Sequence, residues 1–215
     1  MARRRRQRKN GGNRCMKSAA LALLLAVAAT APATAAELRK SYSYFTISGN
    51  TLDDIERGLE RRGPNVASTG ERHPGATRME FKTKLGWKQQ RNRCTLSSAH
   101  VTLTAKIILP RWKPGRKAGS DTRFVWQTLA ADIKRHEEAH VIIAKNHAAE
   151  LEKALMSIGS LRTCEQVTDR AAAVTQRVLD KHEREQQRFD RVESAGFEKR
   201  LFKLLEYRLR NALPD

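Results

Sequence analysis

The sequence contains few acidic and few aromatic residues, and each shortage restricts the kinds of partner that the protein can bind. Asp and Glu number 23 against 42 Lys and Arg, so the formal net charge is +19. A surface of this sign favours acidic partners such as nucleic acid, anionic lipid or acidic envelope polymers. Aromatic residues make up only 6% of the chain, and no motif combines them with basic residues in the manner of a nucleic-acid reader. We therefore expect no nucleic-acid partner.

Long hydrophobic runs are missing from residue 37 onward, which excludes a membrane-spanning helix there, since such a helix needs about 20 apolar residues. The composition is nevertheless 40% hydrophobic over 215 residues, enough for the core of one domain. No internal repeat is present.

Residues 1–36 have the plan of a secretory signal peptide. They hold eight Lys or Arg and no Asp or Glu, and residues 18–31 (SAALALLLAVAATA) form a short apolar run. Ala33 and Ala35 then form an A-x-A cleavage site. The basic stretch before Met16 is unusually long, which suggests that residues 1–15 are a misassigned start or a dispensable extension. The alternative, a basic nucleic-acid-binding arm, does not explain the apolar run. We expect a periplasmic or secreted domain over residues 37–215.

Cysteine is scarce, with Cys94 and Cys164 alone remaining after the leader. Two cysteines in an oxidising compartment predict one disulfide, and two buried free thiols are the alternative. Neither has a Cys or His at ligand spacing, which argues against a cysteine metal site.

The pattern of the domain predicts strands first and helices later, an α+β layout. Residues 42–48 read as a strand, Thr51 as the N-cap of a helix that Gly63-Pro64 ends, and residues 65–76 as a loop. Residues 79–87 and 96–109 predict an antiparallel pair, closed by Pro110 and followed by a basic loop. Helices are predicted over residues 124–158, 161–193 and 197–210.

The segment His136-Glu137-Glu138-Ala139-His140 matches H-E-x-x-H inside the longest predicted helix. Residues four apart share a helix face, so His136 and His140 can bind one Zn²⁺. Glu137 would then accept a proton from the water that the zinc activates. An exposed, merely charged helix segment is the alternative.

A catalytic zinc needs a third protein ligand. His147 is about 10.5 Å along the axis from His140 at 1.5 Å per residue, so an unbroken helix excludes it as a ligand and makes it a buried or supporting residue. We favour His182 as third ligand, with Glu193 as the alternative. The other carboxylates in this stretch are Glu183, Glu185 and Asp190.

The sequence resembles the bacterial family of predicted secreted zinc-dependent proteases, whose domain is of unknown function. The matching pieces are YFTISG at 44–49, Gly63-Pro64, Thr77, Cys94, LPRW at 109–112, Trp126 and HEEAH. The resemblance implies a zincin-like fold, a small antiparallel sheet packed on the H-E-x-x-H helix with further C-terminal helices, and peptidase activity.

One departure from the family bears on the third ligand. Many members have a Tyr-Asp pair followed by Thr-x-His-Gly, whereas this chain has Phe189-Asp190 and then Ala195-Gly196. If the missing histidine is the family's third ligand, this chain uses another residue or has lost activity.

The function expected from the sequence is a zinc-dependent metallopeptidase acting on protein or peptide substrates outside the cytoplasm. A zincin-like envelope binding or assembly protein without turnover is the main alternative, and a basic nucleic-acid-binding protein is the weakest.

The A-x-A site predicts that the exported protein begins near Ala36 or Glu37. Mass spectrometry of the exported material measures this terminus directly. Exported protein that still begins at Met1 or Met16 would contradict the signal-peptide interpretation.

Overall fold

The computed structural model describes residues 36–66 and 70–212, so the predicted signal peptide lies almost wholly outside the described residues. The described residues form an α+β fold with four helices, as the sequence predicts. The elements in chain order are β1 (Glu37–Gly49), α1 (Leu52–Arg62), β2 (Asn65–Val66), β3 (Glu71–Arg72), β4 (Ala76–Gln90), β5 (Arg93–Pro114), α2 (Ser120–Met156), β6 (Ser160–Leu161), α3 (Cys164–Ala195) and α4 (Phe197–Ala212).

The main sheet has the strand order β1-β5-β4, and the short β6 pairs with the start of β5. The predicted antiparallel pair is confirmed in β4 and β5, but the expectation of a wholly antiparallel sheet is wrong, because β1 runs parallel to β5 from Glu37↔Thr102 to Gly49↔Pro114. A short turn joins β4 to β5, which suits antiparallel pairing. The long connection from β1 to β5 provides the crossover that parallel pairing requires.

Pro110 does not close β5, contrary to the sequence prediction. The strand continues to Pro114, and part of the predicted basic loop is therefore strand. Pairing of β5 with β4 ends at Ile108, while pairing with β1 continues through Pro110. Beyond Ile108 one side of β5 is unpaired, so the missing N–H of proline breaks no ladder hydrogen bond there. The predicted loop at residues 65–76 also contains the short β2 and β3.

Helix α1 begins and ends where the sequence predicts. The Thr51 hydroxyl accepts from the Asp54 N–H, and the Asp54 carboxylate accepts from the Thr51 N–H in return, which completes a capping box. At the other end, the Gly63 N–H donates to the Leu59 carbonyl.

The core lies between β5 and helices α2 and α3. Alternate residues of β5, among them Val101 and Leu103, are buried against Leu151 of α2 and Val167 of α3. Burying such side chains contributes about 1.5–3 kcal/mol each. Helix α2 runs unbroken through all 37 of its residues, as predicted, and so provides a rigid support for His136 and His140. Within the described ranges, no helix combines the length and hydropathy needed to cross a membrane.

The predicted disulfide is present. Cys94 at the start of β5 is bonded to Cys164 at the start of α3, with their Cα atoms 5.0 Å apart, and the bond spans 70 residues of sequence that include all of α2.

Replacing both cysteines by serine should lower the free energy of unfolding by about 2–4 kcal/mol, because the crosslink restricts the unfolded chain. Urea denaturation of the double variant and of the oxidised wild type measures the difference. Thiol labelling of the denatured, unreduced protein is the matching chemical test. Two reactive thiols after removal of the leader would contradict the disulfide.

Candidate metal centre

Helix α2 brings the two histidines of the H-E-x-x-H segment together, and α3 adds a carboxylate. The Nε2 atoms of His136 and His140 are 3.1 Å apart. Asp190 Oδ1 lies 3.0 Å from His140 Nε2 and 3.4 Å from His136 Nε2. Among the residues that the structure describes, these three form the group of His, Cys, Asp or Glu that could hold a metal ion.

The separations within this group suit a zinc ion. Two imidazole nitrogens and one carboxylate oxygen are typical donors of a catalytic zinc site. Tetrahedral zinc with bonds of about 2.0–2.1 Å places its donors about 3.3–3.4 Å apart, close to the separations between these three atoms. The Asp190 side chain is 51% exposed, so the group remains accessible to solvent on one side. The residues present therefore fit the metal that the sequence motif implies.

Gln186 determines which nitrogen of His140 faces the group. Its Oε1 lies 2.6 Å from His140 Nδ1, so it accepts the Nδ1–H and leaves the Nε2 lone pair free to bind a metal. The Gln186 amide nitrogen donates to the His140 carbonyl at 3.1 Å and contacts His182 Nε2 at 2.8 Å. Gln186 is buried, and these contacts hold the His140 ring in one orientation.

Two residues of α3 support the ring of His136. Phe189 stacks on it with ring centroids 5.0 Å apart, and Glu193 Oε2 lies 3.6 Å from its Nδ1. Glu193 itself is paired with Arg135 and Arg200. Burial alone would raise the pKa of Glu193, but the hydrogen bond from Arg135 and the positive charges of Arg135 and Arg200 together lower that pKa. Glu193 is thus a charged partner behind His136, outside the three-donor group.

Asp190 is held in its ionised form. Partial burial alone would raise the pKa of its carboxyl group, but hydrogen bonds from His136 and His140 hold that pKa well below its usual range. Binding of a cation would release the Nε2 protons of the two imidazoles, and all three groups could then donate electron pairs to it.

Glu137 is 4% exposed and points towards β4. The Thr77 hydroxyl donates to its Oε2 at 2.8 Å and also lies 3.0 Å from its backbone carbonyl. Burial raises the pKa of Glu137 above its usual value. Gly75 permits this arrangement, because a Cβ at that position would lie 2.7 Å from Glu137 Oε1.

Glu138 points elsewhere and takes no part in the group. Its carboxylate accepts a hydrogen bond from Tyr42 and pairs with Lys40 at 3.4 Å. The two neighbouring glutamates therefore have different surroundings, as their positions around the helix predict.

The structure does not bring His182 into the donor group, although sequence reasoning favours it as third ligand. His182 Nε2 contacts the Gln186 amide, and its ring packs edge-on against Phe81 and His147. His147 is buried, as predicted, and its Nε2 lies 2.8 Å from Glu185. Helices α2 and α3 run antiparallel, so His140 faces Gln186 and His136 faces Asp190. His182 precedes Asp190 by eight residues, about two turns of α3, and so lies beyond reach of the donor group.

Asp190 is the member of the group that sequence reasoning did not favour. The sequence does contain a signal for Asp190, because the Phe189-Asp190 pair matches the Tyr-Asp pair found in the family that this sequence resembles. Its spacing of four residues from Gln186 also places both on one face of α3.

Two cavities open beside the group. One, of about 300 Å³, extends towards α4 and is lined by residues that include Ile133, Glu137, Phe197 and Arg200. The other, of about 460 Å³, extends between β4 and α3 and is lined by residues that include Thr77, His140 and Asp190. A ligand could therefore contact the donor group from either side.

Comparison with known proteins identifies the chain only at the level of its domain. No curated protein and no solved structure was found to match it. A family model described as "Bacterial protein of unknown function (DUF922)" matches residues 42–196, which include every residue of the donor group, and the chain therefore belongs to this family.

Proposed function

We propose that this protein is a zinc-dependent metallopeptidase in which His136, His140 and Asp190 hold the metal. The observation that carries the proposal is the mutual separation of 3.0–3.4 Å among His136 Nε2, His140 Nε2 and Asp190 Oδ1. This spacing and donor set suit tetrahedral zinc with one position left for a ligand.

When bound, zinc supplies Lewis acidity, which polarises a carbonyl oxygen and makes a water molecule more acidic. The protein's own contribution to the reaction is proton transfer at Glu137. Thr77 donates to Oε2, so Oε1 is the oxygen left to accept a proton from water. The same carboxyl group can then donate that proton to the leaving amine.

The place of β4 beside the group supports a peptide substrate. β4 is an edge strand of the main sheet, and Thr77, near its start, contacts Glu137 directly. The unpaired backbone groups of an edge strand can hydrogen-bond an extended peptide, and the two cavities would accept side chains on either side of the reacting bond.

Zinc content tests the donor assignment. Wild type should bind about one zinc per chain, and His136→Ala, His140→Ala and Asp190→Ala should each lose it because each removes one of three ligands. Glu193→Ala and His182→Ala remove supporting residues and should weaken zinc binding by only about 10–100-fold. Isothermal titration calorimetry with ZnCl₂, checked by elemental analysis, measures both effects. Asp180→Ala, an exposed aspartate on the same helix, is the matched control.

The same series can overturn the assignment. Loss of zinc in His182→Ala with retention in Asp190→Ala would make His182 the ligand, and the same pattern for Glu193→Ala would indicate a two-His, one-Glu site. Wild type without zinc affinity would remove the metallopeptidase proposal altogether.

Glu137→Gln should bind zinc and fold normally, yet lose about 10²–10⁴-fold in turnover, because the amide cannot accept the proton. Fluorescein-labelled casein and a mixed peptide library, read by mass spectrometry, are the substrates. Glu138→Gln is the matched control and should keep wild-type activity. Activity of Glu137→Gln within about threefold of wild type would exclude general-base catalysis by this residue. Zinc binding without cleavage by wild type would favour the non-catalytic binding role.

A further inference from the structure

The β4–β5 hairpin lacks acidic residues almost entirely. Between Glu80 and Asp121 the chain holds ten Lys or Arg and no Asp or Glu. Among the residues that the structure describes, Lys82 is the one member of this set with an ion pair, to Glu80 at 3.3 Å. The other nine make no ion pair with a described carboxylate.

Four of these ten charges lie at the closed end of the hairpin. Lys84, Lys88, Arg91 and Arg93 are all exposed there, and the β6–α3 connection adds Arg162. We call these five residues the cationic end. The Cys94–Cys164 disulfide joins the two segments that supply them, so the five positions are held on a fixed frame.

Two surface concavities lie within the cationic end. One, of about 710 Å³, is lined by Lys88, Arg91 and Arg93 together with Gln90, Asn92, Thr95 and Ser160. The other, of about 320 Å³, is lined by Arg93 and Arg162 together with Ser160, Leu161 and Gln166. Neither contains a carboxylate, and both present guanidinium groups beside hydroxyl or amide groups. This chemistry suits phosphate oxygens.

Trp87 adds an apolar group at the same place. It lies in β4 next to a register shift, it is 41% exposed, and its side chain leaves the opposite face of the strand from that of Lys88. An exposed indole at a basic end of a domain is typical of residues at the interface between a bilayer and water. A single-stranded nucleic acid would call for several stacking aromatic residues, whereas this end presents one.

We infer that the cationic end docks this protein on the surface of an anionic phospholipid bilayer, with lipid phosphates in the two concavities and Trp87 at the interface. The surface is separate from the candidate metal centre. Lys88 lies eleven residues after Thr77 along β4, a span of about 36 Å at 3.3 Å per residue. Docking therefore does not depend on the proposed peptidase function.

Vesicle binding tests the inference with the full chain. Wild type should cosediment with vesicles of phosphatidylglycerol and phosphatidylcholine but not with vesicles of phosphatidylcholine alone. The triple variant Lys88→Gln/Arg91→Asn/Arg93→Gln should bind on the order of 100-fold more weakly, since each basic residue near such a surface contributes roughly fivefold. Asparagine is chosen at 91 because Arg91 has a φ of 44°, which asparagine tolerates.

The control variant is Lys145→Gln/Lys199→Gln/Lys203→Gln, which removes the same charge from exposed positions on α2 and α4. It should bind within about threefold of wild type if location matters more than total charge. Equal losses in the two triple variants would overturn the inference in favour of a diffuse charge effect.

Quenching of tryptophan fluorescence by brominated phosphatidylglycerol reports whether Trp87 itself contacts the bilayer. Binding of the chain through residues 1–36, which contain no tryptophan, would not give this signal. Wild type should be quenched on vesicle binding, and Trp87→Phe should lose most of that quenching, since Trp112 is buried and Trp126 is partly buried against it. Unchanged quenching in Trp87→Phe would overturn the orientation proposed here. Binding of polyphosphate or a 20-nucleotide single-stranded DNA as tight as vesicle binding, with the same loss in the hairpin variant, would assign the surface to a soluble polyanion instead.

Discussion

The antiparallel register of α2 against α3 is the constraint on which the candidate site depends. Within α2, the spacing of His136 and His140 follows from helix geometry alone. Which residue of α3 lies beside them as the third donor depends on the register of α3 against α2. The contact of His140 with Gln186 sets that register, and one turn later Asp190 arrives beside both imidazoles. Packing of both helices on β5, with the disulfide joining β5 to α3, keeps α3 from sliding.

Much of the fold can be predicted from the sequence because the patterns that specify it are formed by residues close together in the chain. The alternation of β5, the capping box of Thr51 and Asp54, and the breaker-free α2 each depend on residues a few positions apart. The pairing of β1 is different, since nothing within residues 37–49 states which strand they join or in which direction. Pro110 misleads for the same reason: whether a proline ends a strand depends on whether a neighbour requires its N–H, and that neighbour is distant in sequence.

The candidate site likewise has a part that local sequence signals predict and a part that depends on contacts between distant residues. The roles expected of His136, Glu137 and His140 come from spacing within one helix. Preference for His182 came from residue type, because imidazole is a common zinc ligand. Side-chain chemistry could not reveal that Gln186 lies between His182 and the donor group. In the structure, His182 contributes to the second layer of contacts around His140.

Helix α4 has a consequence for how this domain can vary. The family match ends at residue 196, yet Phe197 and Arg200 form part of the wall of the cavity beside His136 and Glu137. Arg200 also reaches Asp132 on α2 and Glu193 behind His136. The donor atoms thus belong to the shared domain, while one wall of the adjoining cavity comes from the segment that follows it. A related chain that has these three donors but another segment at this point would present a differently shaped cavity to its ligand.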